Sequence, residues 1–207
     1  MVSIEALEFT YDGQRKFQFP DFSIDREPLL ILGESGVGKT TLLHLIAGLL
    51  RPESGKVSID GQEVSNLPLH KMDRFRGRHI GMVFQRPQFI RSLDLGENLR
   101  FIQYLSGKSP DNTRIKKVLD SLGLSDRINC ASYMLSQGEQ QRAAIAMALI
   151  NHPTLILADE PTSSLDDRNC QNVIALLQQQ AEVHQADLII ITHDLRLKEG
   201  FTQTLSL

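Results

Sequence analysis

The feature of this sequence that most constrains its fold is a glycine-rich loop between an apolar segment and a helical one. Residues 33–40 read Gly-Glu-Ser-Gly-Val-Gly-Lys-Thr. The apolar run Leu29–Leu32 precedes the loop, and an apolar helical pattern follows it to residue 50. A continuous apolar run is typical of a strand that is buried on both faces, as in a parallel sheet covered by helices. We therefore predict an α/β fold.

The loop is suited to bind the phosphates of a nucleotide. Glycines allow successive backbone N–H groups to point at one anion, and the start of the following helix adds partial positive charge. Lys39 supplies a full charge to the outer phosphates, and the Thr40 hydroxyl is placed to ligate Mg²⁺. The alternative, a glycine turn that binds nothing, leaves the Lys-Thr pair unexplained. The predicted nucleotide-binding residues here are Gly33, Glu34, Ser35, Gly36, Val37, Gly38, Lys39, Thr40 and Thr41.

Two acidic residues follow a second apolar strand. Asp159 and Glu160 come directly after the run at 155–158. Because ligands collect at the carboxyl ends of strands in open α/β sheets, we expect both carboxylates to face the same crevice as Lys39. Asp159 is predicted to hold Mg²⁺, and Glu160 to orient and deprotonate the attacking water. The alternative is a solvated strand end before the turn at Pro161.

The composition excludes several classes of protein. A chain of 207 residues, 41% hydrophobic and 23% charged, supports one core with an appended lobe. Its net charge of -3 offers no basic field for a nucleic-acid backbone, so nucleic acid is not an expected partner. Neither a membrane span nor a secretory signal is evident, so we expect a cytoplasmic chain. Cys130 and Cys170 lack metal-type spacing and are expected to be reduced.

The rest of the chain adds two smaller units to the α/β core. Alternation at 3–9 and 17–24, around the turn signal Asp12-Gly13, predicts an antiparallel β edge. Between Pro87 and Met134 helical periodicity replaces the strand pattern, which predicts a small helical subdomain. The predicted helices there are 93–105 and 113–122; the other predicted strands are 57–59, 79–84, 155–158 and 188–192; the other predicted helices are 137–150 and 169–182.

The most specific resemblance lies in residues 135–142. This segment, Leu-Ser-Gln-Gly-Glu-Gln-Gln-Arg, resembles the signature motif of ABC (ATP-binding cassette) ATPases, commonly Leu-Ser-Gly-Gly-Gln, and it directly precedes the Asp-Glu strand as in that family. Other landmarks follow the family's order. Gln85 resembles the Q-loop glutamine, Asp166 within Ser-Leu-Asp resembles the D-loop aspartate, and His193 resembles the switch histidine. Tyr11 is similar in position to the aromatic residue that stacks on adenine.

This resemblance implies an architecture and a mode of action. It implies a RecA-like core with its β subdomain at 1–86 and 135–207 and a helical subdomain at 87–134. Two copies are expected to enclose two Mg-ATP molecules, with Ser136 and Gly138 of one copy meeting the γ-phosphate bound by the other. Hydrolysis then drives a separate integral membrane permease, which places the chain on the inner face of the cell membrane.

The resemblance also implies roles for single residues of the nucleotide site. His193 is expected to bond the γ-phosphate, Gln85 to touch Mg²⁺ or water, and Asp166 to lie beside the nucleotide. The sequence departs from the family pattern at Gln137, where glycine is usual. We expect this side chain to slow hydrolysis or weaken closure of the dimer.

The segment 76–85, preceded by Asn-Leu-Pro at 66–68, is similar to the ATPases of the lipoprotein-releasing, macrolide-exporting and cell-division group. By analogy, the permease should contact the surface near residues 85–97. Two alternatives stay open at this point. One is a soluble mechanical ABC ATPase that acts on DNA or ribosomes, although the coiled coil or tandem repeat of such proteins is not evident. The other is a nucleotide-sensing subunit that regulates a membrane complex with little hydrolysis.

Overall fold

The structure is a computed structural model, and it describes residues 1–11, 13, 15–163 and 167–207. These residues form ten strands and six α-helices. In chain order they are β1 (Val2–Tyr11), β2 (Arg15–Gln18), β3 (Phe22–Ile24), β4 (Leu29–Leu32), α1 (Lys39–Ile46), β5 (Ser54–Ile59), β6 (Gln62–Glu63), α2 (Leu69–His79), β7 (Ile80–Val83), α3 (Leu95–Leu105), α4 (Asn112–Ser121), α5 (Gln137–Leu149), β8 (Leu155–Asp159), α6 (Asp167–His184), β9 (Asp187–Thr192) and β10 (Gln203–Ser206).

The central sheet is parallel, with strand order β10-β4-β9-β8-β7. Strands β4, β8 and β9 are buried along their whole length, as the continuous apolar runs predicted. Along β8, Leu155 and Leu157 face a core built with α1 and the antiparallel sheet, whereas Ile156 and Ala158 face a core built with α3 to α6. Side chains alternate between the two faces of a strand, so one apolar run serves both cores.

The second sheet is antiparallel and has β1 at its centre. Strands β2 and β3 pair with its two ends on one side, and β5 followed by β6 lies on the other. The register with β5 shifts between Glu5 and Glu8, where Ala6 has a φ of 47°. This irregularity moves the buried positions from Val2 and Ile4 to Leu7. The predicted antiparallel edge is therefore confirmed.

A helical segment connects β7 to α5. It contains α3, α4 and two 3₁₀ turns, Ser125–Arg127 and Ser132–Met134. Asp94 and Glu97 form a reciprocal capping box that starts α3. The predicted helices near 93–105 and 113–122 are confirmed, while the exact subdomain boundary at residues 87 and 134 stays a prediction.

Three elements, namely α2, β6 and β10, were not predicted from the sequence, and one strand begins later than predicted. Helix α2 occupies Leu69–His79, so the strand predicted from residue 79 begins at Ile80. Strand β10 extends the parallel sheet beside β4. Both cysteines are free thiols, as expected. Among the described residues, every helix falls short of the length and apolarity needed to cross a membrane.

Candidate active site

A cleft of about 760 Å³ opens at the carboxyl edge of the parallel sheet. It is lined by the loop after β4, by Gln85 after β7, by Asp159 and Glu160 at the end of β8, and by His193 after β9. The loop contributes residues 33–36 and 38–41 to the lining. Most of the predicted site residues therefore meet in one place because parallel strands deliver their carboxyl ends to the same edge.

The loop takes a conformation that depends on glycine. Gly36 and Gly38 have φ values of 84° and 113°, in the region that side chains with a Cβ disfavour. A Cβ at Gly33 would lie 2.8 Å from Cγ2 of Val37, which is the loop residue that turns away from the cleft. These constraints let the backbone curve around a small anion at the start of α1, where first-turn N–H groups lack partners within the helix.

The side chain of Lys39 is bonded to the loop itself. Its ammonium donates to the carbonyl oxygens of Gly33 at 2.7 Å and Glu34 at 2.9 Å, and it lies 3.7 Å from Oε1 of Glu160. The Lys39 side chain is 7% exposed. A buried cation next to a phosphate-shaped loop supplies the positive charge that a triphosphate needs.

Thr40 and Asp159 form an oxygen pair on the opposite wall. The Thr40 hydroxyl donates to Oδ1 of Asp159 at 3.3 Å. Burial raises the pKa of Asp159, and the charge of Glu160 raises it further, whereas the Thr40 hydrogen bond lowers it. Hydroxyl and carboxylate oxygens are ligands that Mg²⁺ accepts, and a bound cation would offset the cost of burying this carboxylate. The two residues therefore fit Mg²⁺.

Glu160 is held in an unusual backbone conformation by several partners. Its φ is 46°, and its N–H donates to the Ile191 carbonyl at 2.9 Å. Its carboxylate accepts a hydrogen bond from the Thr192 hydroxyl at 2.9 Å and lies 2.9 Å from Nδ1 of His193. Non-glycine residues with positive φ are strained by about 1–3 kcal/mol and are common at functional sites. The sequence did not point to Thr192, which is fully buried.

Gln85 and Tyr11 lie at the margins of the cleft. Nε2 of Gln85 donates to the Ser163 hydroxyl at 3.2 Å. The Tyr11 hydroxyl lies 3.3 Å from the Thr41 hydroxyl, and its ring is 44% exposed. The aromatic residue that lines the cleft is Phe17, whose ring meets Tyr11 edge-on at 6.0 Å. The alternation of residues along the strands did not indicate that Phe17, rather than Tyr11, would face the nucleotide loop.

The signature residues lie in a separate depression of about 380 Å³ at the N-terminus of α5. Ser136, Gln137 and Gly138 are all exposed there. The Ser136 hydroxyl bonds the Glu139 carboxylate at 2.8 Å, and Arg127 donates to the same carboxylate at 2.7 Å. Hydrogen bonds from the Ser136 backbone and side chain, and then from Arg127, lower the pKa of Glu139 to about 2. The predicted D-loop residue, Asp166, lies outside the described residues.

Comparisons with known proteins agree with this geometry. Residues 21–163 match the profile of the ABC transporter family. The chain is similar to two proteins named lipoprotein-releasing system ATP-binding protein LolD. It is 38% identical to that of Colwellia psychrerythraea over 86% of this chain and 70% of the relative. It is 36% identical to that of Bacteroides thetaiotaomicron, over 94% and 90%.

Solved structures give the same result. The fold resembles the dimeric post-hydrolysis structure of the ATP-binding cassette MJ0796 bound to ADP and Pi, with a TM-score of 0.87 at 30% identity, covering 100% of this chain and 94% of the other. A second similar structure is cbiO1 from Clostridium perfringens, part of the transporter complex cbiONQ. Its TM-score is 0.83 at 28% identity, covering 93% and 78%.

Proposed function

This chain belongs to the ABC transporter family and is an ABC-type ATPase, and from that premise we propose that it acts as a homodimer on a separate membrane permease. Two copies close around two Mg-ATP molecules, and hydrolysis reopens them. The observation that supports the catalytic part is the convergence of Lys39, Asp159, Glu160 and His193 on one cleft. A nucleic-acid partner is not part of this proposal.

Within the cleft, each residue has a role that follows from its chemistry. Lys39 neutralises charge on the outer phosphates, and His193 hydrogen-bonds the γ-phosphate. Glu160 accepts a proton from the attacking water, which it also orients. Thr40 and Asp159 would hold Mg²⁺, Gln85 lines the same cleft and could contact the ion or its water, and a bound Mg²⁺ would neutralise phosphate charge during transfer.

The dimer is supported by the exposed signature face. Ser136 and Gly138 are at the surface, away from the cleft of their own chain. A Cβ at Gly138 would meet only the Arg142 guanidinium, at an ordinary 3.7 Å, so packing within the chain does not require glycine there. Close approach of a second molecule to this face would require a residue without a Cβ. The similar structure of MJ0796 is dimeric and contains the products of ATP hydrolysis.

The permease is proposed to insert a helical segment into a groove between α2, α3 and α5. This groove has a volume of about 510 Å³, and apolar side chains dominate its lining, including Phe84 and Met147. Phe84, Pro87 and Gln88 line this groove, and Gln85 in the same segment lines the nucleotide cleft, so one segment connects the two. A chain bound to such a permease would lie on the inner face of the cell membrane.

The decisive experiment compares Glu160→Gln with the wild-type chain. Without the carboxylate, turnover should fall by about 100-fold or more, while ATP still binds and holds the dimer together, as seen by size-exclusion chromatography with Mg-ATP. Glu182→Gln, the same change at an exposed position of α6, is the matched control and should keep full activity. Wild-type turnover in Glu160→Gln would refute the catalytic proposal. A chain that binds ATP but shows negligible turnover, even with its permease, would instead support the regulatory alternative.

A further inference from the structure

Thr192 is the last residue of β9 and is fully buried, with 0% exposure. It pairs in register with Leu32, the residue directly before the glycine loop. Its hydroxyl has two polar partners. Oγ1 accepts from the backbone N–H of Asp194 at 3.1 Å and lies 2.9 Å from Oε2 of Glu160. Because an amide N–H only donates and a carboxylate only accepts, the single hydroxyl hydrogen must point at Glu160.

The two oxygens of Glu160 have different kinds of partner. Oε2 is bonded by the Thr192 hydroxyl and, more weakly, by the backbone N–H of His193 at 3.4 Å. Oε1 faces the two groups that are expected to bind phosphate: the ammonium of Lys39 at 3.7 Å and Nδ1 of His193 at 2.9 Å. Oε2 is therefore bonded to residues at the end of β9, and Oε1 faces the two side chains that are expected to bind phosphate.

We propose that Thr192 is a positioning residue that keeps Glu160 in place while the carboxylate exchanges its other partners for water. The inference rests on the proposed catalytic role of Glu160. When the γ-phosphate binds, Lys39 and His193 turn to it and release Oε1, which then accepts the hydrogen bond of the attacking water. Thr192 does not contact the phosphate and stays bonded to Oε2. At 2.9 Å this bond is shorter than the 3.4 Å contact from the His193 N–H, so it is the stronger of the two bonds that hold Oε2 in place.

Thr192→Val tests this role because valine has nearly the same shape and lacks the hydroxyl. Thr192→Ser is the matched variant, which keeps the hydroxyl and loses only the methyl group. A hydrogen bond to a charged group supports an expected loss in kcat of about 10- to 100-fold for valine. The KM for ATP should change by less than about threefold, since ground-state binding of ATP does not use this bond. The serine variant should keep at least about half of the wild-type kcat.

The assay measures ATP turnover of the full chain, alongside melting temperature and binding of a fluorescent ATP analogue. A valine variant with less than about a fivefold loss in kcat would overturn the proposal, and so would a serine variant as slow as valine. If valine does not fold, Thr192→Cys replaces it, because a thiol has similar size and donates only weakly; the same thresholds apply. Glu160→Gln, measured in parallel, separates the proposed function from the proposed role of Thr192. If Glu160→Gln is active, the proposed function fails; if it is inactive and Thr192→Val is as fast as wild type, only the role of Thr192 fails.

Discussion

The proposed dimer predicts opposite effects of Gly138→Ala on stability and on activity. Gly138 lies in the first turn of α5, is exposed, and lacks a positive φ. An added Cβ would meet only the Arg142 guanidinium, at 3.7 Å. Replacing glycine by alanine where the backbone permits it stabilises a protein by about 0.4–1 kcal/mol. For a chain of this size, that corresponds to a rise in melting temperature of about 1–4 °C.

The same methyl group should impair turnover because it would stand on the face that is proposed to meet the partner's γ-phosphate. Displacing the start of α5 from the phosphate costs at least one hydrogen bond to a charged group, about 1.5–3 kcal/mol, which corresponds to about a 10- to 150-fold loss in kcat/KM. The assay is steady-state ATP hydrolysis together with a thermal melt of the same preparation. Gly200→Ala is the matched control, since a Cβ there has no neighbour within 4 Å. It should leave turnover unchanged.

Mixing two inactive variants gives the strongest form of this test. A dimer of one Lys39→Ala chain and one Gly138→Ala chain contains one site with both defects and one site with neither. If half of the dimers are mixed and the sites act independently, about a quarter of wild-type activity returns. Wild-type turnover in Gly138→Ala alone, a lowered melting temperature, or a mixture as inactive as its parts would each refute the reasoning.

Three further predictions concern the signature, the helical segment and pH. Gln137→Gly should raise ATPase activity in steady-state turnover, and unchanged activity would count against steric crowding by this side chain. Asn98 is 2% exposed, and its side chain makes four hydrogen bonds to the loop before α3, so Asn98→Ala should lower the free energy of unfolding in urea by about 2–4 kcal/mol. Burial and the charges of Arg114 and His152 lower the pKa of His184 from 6.5 to about 4. Because the unfolded chain then binds the proton at a higher pH than the folded chain, the contribution of neutral His184 to stability is complete above pH 6.5 and is lost as the pH falls toward 4. His184→Gln should remove about 1–2 kcal/mol of this pH dependence, a value reduced for solvent screening. The measurement is the free energy of unfolding in urea at about pH 7 and at about pH 4.5.

Much of the fold was predictable because its central strands are apolar on both faces and end in recognisable residues. Helix α2 was missed for a physical reason: only Met72 and Phe75 are buried, which is too sparse a pattern to indicate a helix. Gly77 lowers helix propensity further, yet a Cβ there would lie 3.2 Å from Cα of Ser106, so close packing explains the glycine. Strand β10 is four residues long and half-buried at the sheet edge, where alternation over so few positions carries little information.

The candidate site was predictable where each residue follows a strand, because parallel topology alone brings such residues together. Lys39, Asp159 and Glu160 were predicted from the glycine loop and the strand pattern, and His193 from its resemblance to the switch histidine of the family. The hydrogen bond from Thr192 could not be predicted, since a threonine that ends a buried strand is usual in a β-rich core. Its importance depends on the 2.9 Å contact with the Glu160 carboxylate, which only the structure reveals.

The position of α5 explains why the nucleotide cleft and the signature residues of one chain do not meet. Helix α5 ends at Leu149, a few residues before β8 begins at Leu155, so its end lies near the amino edge of the sheet. Its start therefore lies at the carboxyl edge. The glycine loop also lies at that edge, but after a different strand. The two features therefore lie at the same edge of the chain and open into different depressions. In the proposed dimer, a two-fold axis between them would place each cleft against the signature of the other copy, so one contact surface would form both sites at once. Each closed site would then need both chains, and loss of the γ-phosphate at either site would weaken the whole interface, which is the property that a motor acting on a permease requires.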